Sequence, residues 1–481
     1  MIGGRSGLIA ATLALALLAS GCGNLVSGRA VSIYDDPFTV AGLPVTSGPS
    51  GPRPGVSHAD LPVTNFDGND ADVLAVDAVD DIQTFWEAVY PTLFRGRFEP
   101  VAELISWDAD ARRGQSPDFC DEETDGVPNA GFCSLDNTIG WDRGILLPAM
   151  MDAFGPMSVV MVLAHEYGHA VQTQSGLIGD SDPTIVAEQQ ADCFGGAFMR
   201  SVAQGESKHF TLNTSDGLNS VLAATVAVRD EDPGSPDSVH GSAFERVTAA
   251  QIGFTDGAGA CTKIDEKEVE SRRASLPQQF DNPSDTGELP VTQESLEMFA
   301  TTFEQVLPTP TPPTFDYTRS DTGCTDAKTT DPVSYCPSTN TIGVDVEKLA
   351  ERGEQSRSGD DVLPINVSGD YSAYVVFVSR YVLAVQKAAG QTLVDARAAL
   401  RSACLSGAVT SLLSPENPQE GAQLAVTLSP GDLDEAVSGL LTDGLAASDV
   451  DGNTVPSGFS RVDAFRWGVL GGRTACDGRY N

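Results

Sequence analysis

The sequence predicts a mainly α fold with small β elements (α+β), arranged as two tandem, disulfide-stapled copies of one domain. Three observations carry that reading. The first is internal repetition. Phe132-Cys133 through Asn137-Thr138-Ile139-Gly140-Trp141-Asp142 recurs as Tyr335-Cys336 through Asn340-Thr341-Ile342-Gly343-Val344-Asp345. Phe244, Arg246, Val247 and Cys261 recur as Phe459, Arg461, Val462 and Cys476 at a constant offset of 215. The second is the cysteine pattern. Apart from Cys22, the nine cysteines fall into Cys120, Cys133, Cys193, Cys261 and the matching set Cys324, Cys336, Cys404, Cys476. The third is helical patterning over most of each copy.

Taken in order, residues 1–21 read as a signal peptide. Arg5 precedes an apolar run from Leu8 to Ala19, too short to span a bilayer, and Ala19-Ser20-Gly21-Cys22 follows. This resembles a bacterial lipobox, with Ala19 where Leu is more usual. Lipidation of Cys22 would anchor the chain outside the cell membrane. Residues 22–70, rich in Gly, Pro, Ser and Asp, read as a flexible tether. Residues 71–261 form the first domain, 262–292 a polar linker, and 293–481 the second domain. In the first copy we expect helices at Val73–Leu93, Pro156–Gly176, 183–204, 215–230 and 240–254, and a strand at Thr138–Asp142 whose exposed edge would take an extended substrate backbone. Helix Val73–Leu93 itself repeats, since Phe85 to Pro91 matches Thr302 to Pro308.

Eight cysteines allow 105 pairings, but the duplication reduces the choice to one pattern used twice. Cys120–Cys133 with Cys193–Cys261, repeated as Cys324–Cys336 with Cys404–Cys476, keeps the short spacing nearly constant. Disulfides imply an oxidising, extracytoplasmic setting. A net charge of −38 argues against nucleic acid or an anionic surface as a partner.

The chemistry concentrates in His165-Glu166-Tyr167-Gly168-His169. Two histidines four apart share a helix face, where both imidazoles can hold one Zn²⁺. Glu166 then stands beside the metal as a general base. With only five histidines in the chain, chance produces this motif on the order of a few times per thousand such sequences. Glu188 on the next helix is the candidate third ligand, leaving an open position for water. Asp192, one turn later, would fix the tautomer of a ligating histidine. A solvated acidic face is the alternative for both residues.

The strings from His165 to Gln172 and from Ala187 to Phe198 resemble the neutral zinc metallopeptidase family of bacterial envelope proteins, with a gluzincin-type set of two His and one Glu. The strand around Cys133 and the His240-Gly241-Ser242 to Arg246-Val247 segment are similar to further family features, so the resemblance covers roughly 75–261. It implies zincin-like domains and a zinc-dependent peptidase acting on a peptide or protein.

The second copy has lost this chemistry. Ser379 and Leu383 replace both histidines, Arg380 replaces Glu166, Ala399 replaces Glu188 and Ala403 replaces Asp192. Residues found in both copies, such as Arg246, Phe244 and Asp142, therefore read as scaffold. His240 aligns with Val455 and was lost with the ligands, which marks it as a candidate oxyanion donor beside its alternative as a loop residue. His58 and His209 show no such pattern. Two classes follow: a membrane-anchored zinc peptidase whose second domain serves stability or docks an envelope protein, and a non-catalytic envelope lipoprotein with a structural or vestigial zinc. Glu166 favours the first, because a structural zinc site has four protein ligands and needs no base.

Overall fold

The structure, a computed structural model, describes residues 36–179, 181–229, 240–273, 276–280, 286–355, 363, 367–417 and 424–480. The expected signal peptide and Cys22 lie outside them. Short strands β1 (Thr39–Val40), β2 (Leu43–Pro44) and β3 (Gly51–Pro52) precede helix α1 (Asp70–Leu93). Asn69 caps α1 by accepting from the Asp72 N–H, and Asp70 and Asp72 stand at the positive end of the helix. Leu74, Val79, Ile82, Trp86 and Tyr90 form its buried stripe.

Strands β4 (Glu103–Trp107), β5 (Ala130–Cys133) and β6 (Thr138–Asp142) form one sheet in the order β4-β6-β5, with β6 parallel to β4 and antiparallel to β5. The expected strand is thus present, but it has no exposed edge. Every residue of β6 is buried between two neighbours, and the edges are β4, whose outer side meets Thr64, and β5.

Helices α2 (Leu146–Phe154) and α3 (Pro156–Ser175) follow. Gly155, at φ 79°, separates them, and Pro156 occupies the first turn of α3, where its missing N–H leaves nothing unpaired. Then come α4 (Thr184–Ala203), β7 (Phe210–Thr211), α5 (Asp216–Ala227), α6 (Ala243–Asp256), the short α7 (Ala258–Cys261) and α8 (Glu266–Arg273).

The second half repeats the arrangement with α9 (Gln293–Val306), β8 (Thr314–Asp316), β9 (Val333–Cys336), β10 (Thr341–Val344), α10 (Val346–Arg352), α11 (Asp370–Ala388), α12 (Ala396–Leu412), α13 (Asp432–Thr442) and α14 (Gly458–Tyr480). Its sheet runs β8-β10-β9, again with the central strand parallel to the first and antiparallel to the hairpin partner. A Cβ built on Gly253 would fall 1.8 Å from the Cys193 carbonyl oxygen, and one on Gly468 would fall 1.8 Å from that of Cys404. The two halves share the same close helix crossing. All four expected disulfides form.

Two expectations about connectors are corrected. Residues 36–69 of the tether are docked: β3 pairs with β7, Thr46 bonds Thr214, Ala59 N–H donates to Asp77, and Val40 is fully buried. A Gly/Pro-rich segment without periodicity can still be fixed when the body supplies partners for its backbone polar groups. The linker also contains α8, whose Arg272 donates to Gln189 Oε1 at 2.9 Å and whose Arg273 pairs with Glu245. In addition, the buried apolar residues of both halves form one continuous cluster, rather than one core per copy. Gln251 Nε2 donates to the Phe459 carbonyl at 3.0 Å, and the Phe254 and Phe459 rings meet at 5.0 Å across the junction. Among the described residues, no helix is long and apolar enough to cross a membrane.

Candidate functional site

Helix α3 presents His165 and His169 one turn apart, and α4 crosses it carrying Glu188 and Asp192. The crossing is close because residue 168 is glycine. A Cβ there would stand 2.9 Å from Ala191 Cα and 3.3 Å from its carbonyl oxygen. The second copy has Val382 at the aligned position. Gly168→Val should therefore force the helices apart, at an overpacking cost of about 1–3 kcal/mol. We expect it to lower zinc affinity at least tenfold in chelator competition, while circular dichroism stays helical.

The structure brings His165, His169 and Glu188 together. His165 Nε2 lies 3.2 Å from His169 Nε2 and 3.1 Å from Glu188 Oε2, and His169 Nε2 lies 3.4 Å from Glu188 Oε1. Each histidine nitrogen faces one oxygen of the Glu188 carboxylate, and the three residues bring their donor atoms close enough together to hold one ion of the size of zinc. The far nitrogens are already engaged. His165 Nδ1 meets Asp192 Oδ1 at 2.8 Å, and His169 Nδ1 meets Gln172 Oε1 at 2.9 Å. Gln172 is held the right way round because its Nε2 donates to the Ala187 carbonyl. Both partners are acceptors, so each Nδ1 carries the proton and each Nε2 offers a lone pair to the centre. Buried Glu188 Oε2, although 3.1 Å from His165 Nε2, makes no hydrogen bond of acceptable direction. A buried carboxylate oxygen without a donor is costly unless a cation meets it, so the donor set fits zinc.

Electrostatics agree. Burial works against a charged His165, but Asp192 and Glu188 outweigh it and push its pKa up to about 10. Burial opposes ionisation of Glu188 as well, yet the two histidines facing it hold its carboxyl well below the usual carboxylate range. Without metal, the pocket has a strong affinity for positive charge.

Glu166 lies on the same helix, with Oε2 accepting the Phe132 N–H of edge strand β5 at 3.0 Å. His240 lies at the rim, 40% exposed at its side chain, with Nε2 3.8 Å from Glu188 Oε2. A cavity of about 380 Å³ extends from His165, Glu166 and His240 past Ala130, Met161 and Arg229. The other two histidines lie elsewhere, His58 on Asp77 and His209 on Asp81.

Three contributors were not expected. Gln172 orients His169. Arg246 grips Asp192 through Nε and Nη2, each at 2.8 Å, so its assignment to the scaffold alone is corrected. Asp434 of the second half accepts the Phe244 N–H at 3.0 Å, at the start of the helix carrying Arg246, and stands 3.4 Å from Arg229. Only Gln172 had a local signal, three residues after His169 on one helix face. Asp142, as expected of scaffold, accepts from the N–H groups of Ala109, Gly144, Ile145 and Leu146.

No family model matches the chain, and no solved structure matches it. Uncharacterised proteins of Mycobacterium bovis and of two Mycobacterium tuberculosis strains are each 28% identical to it over 195 residues, covering 36% of this chain and 64% of theirs. The chain thus spans less than two thirds of the curated relatives it matches.

In the second half, Arg380 fills the position of Glu166. Its buried guanidinium donates to the carbonyls of Leu445 and Asp449 and to Ser448 Oγ, and its Nε donates to Ser379 Oγ. Burial lowers its pKa to about 10, partly offset by Asp449, so it remains a cation at neutral pH. A metal cannot share that place.

Proposed function

We propose that this protein is an extracytoplasmic zinc-dependent peptidase, tethered to the cell membrane by a lipid on Cys22 and acting on peptides or proteins. Its likeness to the neutral zinc metallopeptidase family belongs to the same proposal. The observation that carries it is the convergence of three donors, His165, His169 and Glu188, with one ligand atom from each within 4.8 Å of the others and with buried Glu188 Oε2 unbonded.

When bound, zinc supplies Lewis acidity, lowering the proton affinity of water and polarising a peptide carbonyl. Glu166 accepts the proton that water gives up as it adds to the carbonyl carbon, and passes it to the departing amine nitrogen. The Phe132 N–H keeps that carboxylate turned toward β5. An extended substrate backbone aligns along β5, the edge strand beside Glu166. His240 donates to the carbonyl oxygen as negative charge develops there.

Metal analysis of purified protein should give one zinc per chain, and peptide turnover should vanish on chelation and return with zinc. Two tightly held equivalents, or none, would sink the reading. His240→Val copies Val455 of the second half. We expect it to lower kcat by ~10²–10³, the usual effect of losing one oxyanion donor, with zinc content unchanged. Full activity in that variant would leave His240 as a loop residue.

A further inference from the structure

We infer that the cavity beside Glu166 receives a large, uncharged apolar side chain from the substrate residue on the amine side of the bond to be cut, and that the second half helps build it through Leu363. This rests on the proposed peptidase activity and deepens it by naming the class of residue the site accepts.

The walls come from four elements of the first half. Leu146 and Met150 stand one turn apart on α2, Ala224 and Ala227 one turn apart on α5, Val162 is on α3, and Ala130 begins β5. Val162 comes four residues before Glu166 and so shares its helix face. It is only partly buried, whereas Val376, at the aligned position of the second half, is fully buried. Leu363 of the second half joins this wall, with its side chain packed away from solvent.

The polar side chains beyond the metal donors are engaged within the protein. Asn129 Oδ1 accepts the Ala130 N–H, Ser158 Oγ donates to the Gly155 carbonyl at 2.7 Å, and Thr225 Oγ1 donates to the Val221 carbonyl at 3.2 Å. Arg229 faces Asp434, and Arg246 grips Asp192. An acidic substrate side chain would therefore meet cations that already have their carboxylates. A basic one would find Glu166, whose carboxylate the reaction needs. An apolar side chain asks for no partner and gains by leaving water.

Size and position agree with this. An apolar cavity of about 150 Å³ is enough to hold benzene, so one of about 380 Å³ has room for the side chain of Leu, Met or Phe beside the reacting groups. Glu166 fixes which residue enters. It passes a proton to the departing amine nitrogen, so the residue carrying that nitrogen lies against Glu166, and its Cβ, two bonds away, points the side chain at the cavity. In the second half, Val333 stands where Ala130 does, and Arg380 runs from the position of Glu166 to the carbonyls of Leu445 and Asp449. The cavity goes with the metal donors, and not with the scaffold that both halves share.

Peptide hydroxamates test the pocket without turnover. In each, the zinc-binding group takes the place of the carbonyl side, and the next residue is Ala, Leu, Phe, Asp or Lys. Calorimetry with the zinc-loaded full chain should show Leu and Phe binding at least tenfold tighter than Ala, and Asp and Lys weakest, since one methylene in an apolar pocket is worth roughly tenfold or more. Val162→Phe should remove the preference for Phe over Ala while zinc content stays at one. Leu363→Ala, outside every helix and strand, should narrow the ratio of Leu to Ala severalfold. Equal binding across the series, or tighter binding of Asp or Lys, would overturn the inference, and an unchanged ratio in Leu363→Ala would overturn the share given to the second half. Cleavage of peptides without side-chain preference would leave a peptidase and remove the pocket. A hydroxamate preference in zinc-loaded protein that cleaves no peptide would keep the pocket and remove the peptidase.

Discussion

Glu166→Gln should keep one zinc per chain and lose turnover by ~10²–10⁴, the contribution of a positioned general base. The substitution is nearly isosteric, and the amide oxygen can still accept the Phe132 N–H that Glu166 Oε2 accepts at 3.0 Å, so the geometry of β5 and α3 survives. Proton acceptance does not survive, because an amide oxygen is far less basic than a carboxylate. His165, His169 and Glu188 are untouched, so metal content should not change. Zinc stoichiometry and kcat on one peptide, measured side by side, separate a lost base from a lost metal. Undiminished kcat with zinc in place would remove Glu166 from the chemistry and favour a non-catalytic metal site.

How much of this was legible in the sequence depends on the kind of interaction. The donors were legible because i, i+4 spacing on a helix is a strict geometric rule, and Glu188 and Asp192 are spaced the same way. Disulfide pairing was legible because the duplication poses the same problem twice. The edge strand was not. Thr138–Asp142 shows no alternation between polar and apolar residues because, as the central strand, it is buried on both faces, and nothing in its residues says which neighbour lies outside. Residues 36–69 were misread because they dock largely through backbone hydrogen bonds to partners such as Thr214 and His209, more than 150 positions away. Asp434 was out of reach for the same reason. It acts across the junction of the two halves, 190 residues from the Phe244 N–H it accepts.

Arg246 shows where the comparison of copies misleads. Its counterpart Arg461 is scaffold in the plain sense, donating to the carbonyls of Leu441 and Val455. Arg246 also donates to a carbonyl, that of Val228, and in the first half it additionally meets Asp192, which the second half has replaced with Ala403. One retained residue thus serves the fold in both copies and orients His165 in one.

Arg246→Ala should accordingly be the most destabilising of these substitutions, by about 3–5 kcal/mol, because it removes the two-point guanidinium contact from the buried Asp192 carboxylate and leaves it His165 alone. Burial raises the pKa of Asp192, but Arg246 and then His165 overcome this and hold it at about 2. A carboxyl depressed in the folded state stabilises the fold above its unfolded pKa near 4, and that contribution disappears as the pH falls through 2. Without Arg246 the folded carboxyl titrates higher, so the acid limb of the stability profile should move to higher pH. Arg246→Met paired with Asp192→Asn should recover part of the loss, since neither side chain then needs a charged partner. Urea unfolding of the metal-free protein from pH 3 to 8 measures all of this directly. If Arg246→Ala unfolds at the same denaturant concentration as the parent and shows no shift of the acid limb, the Asp192–Arg246 pair is not what fixes His165.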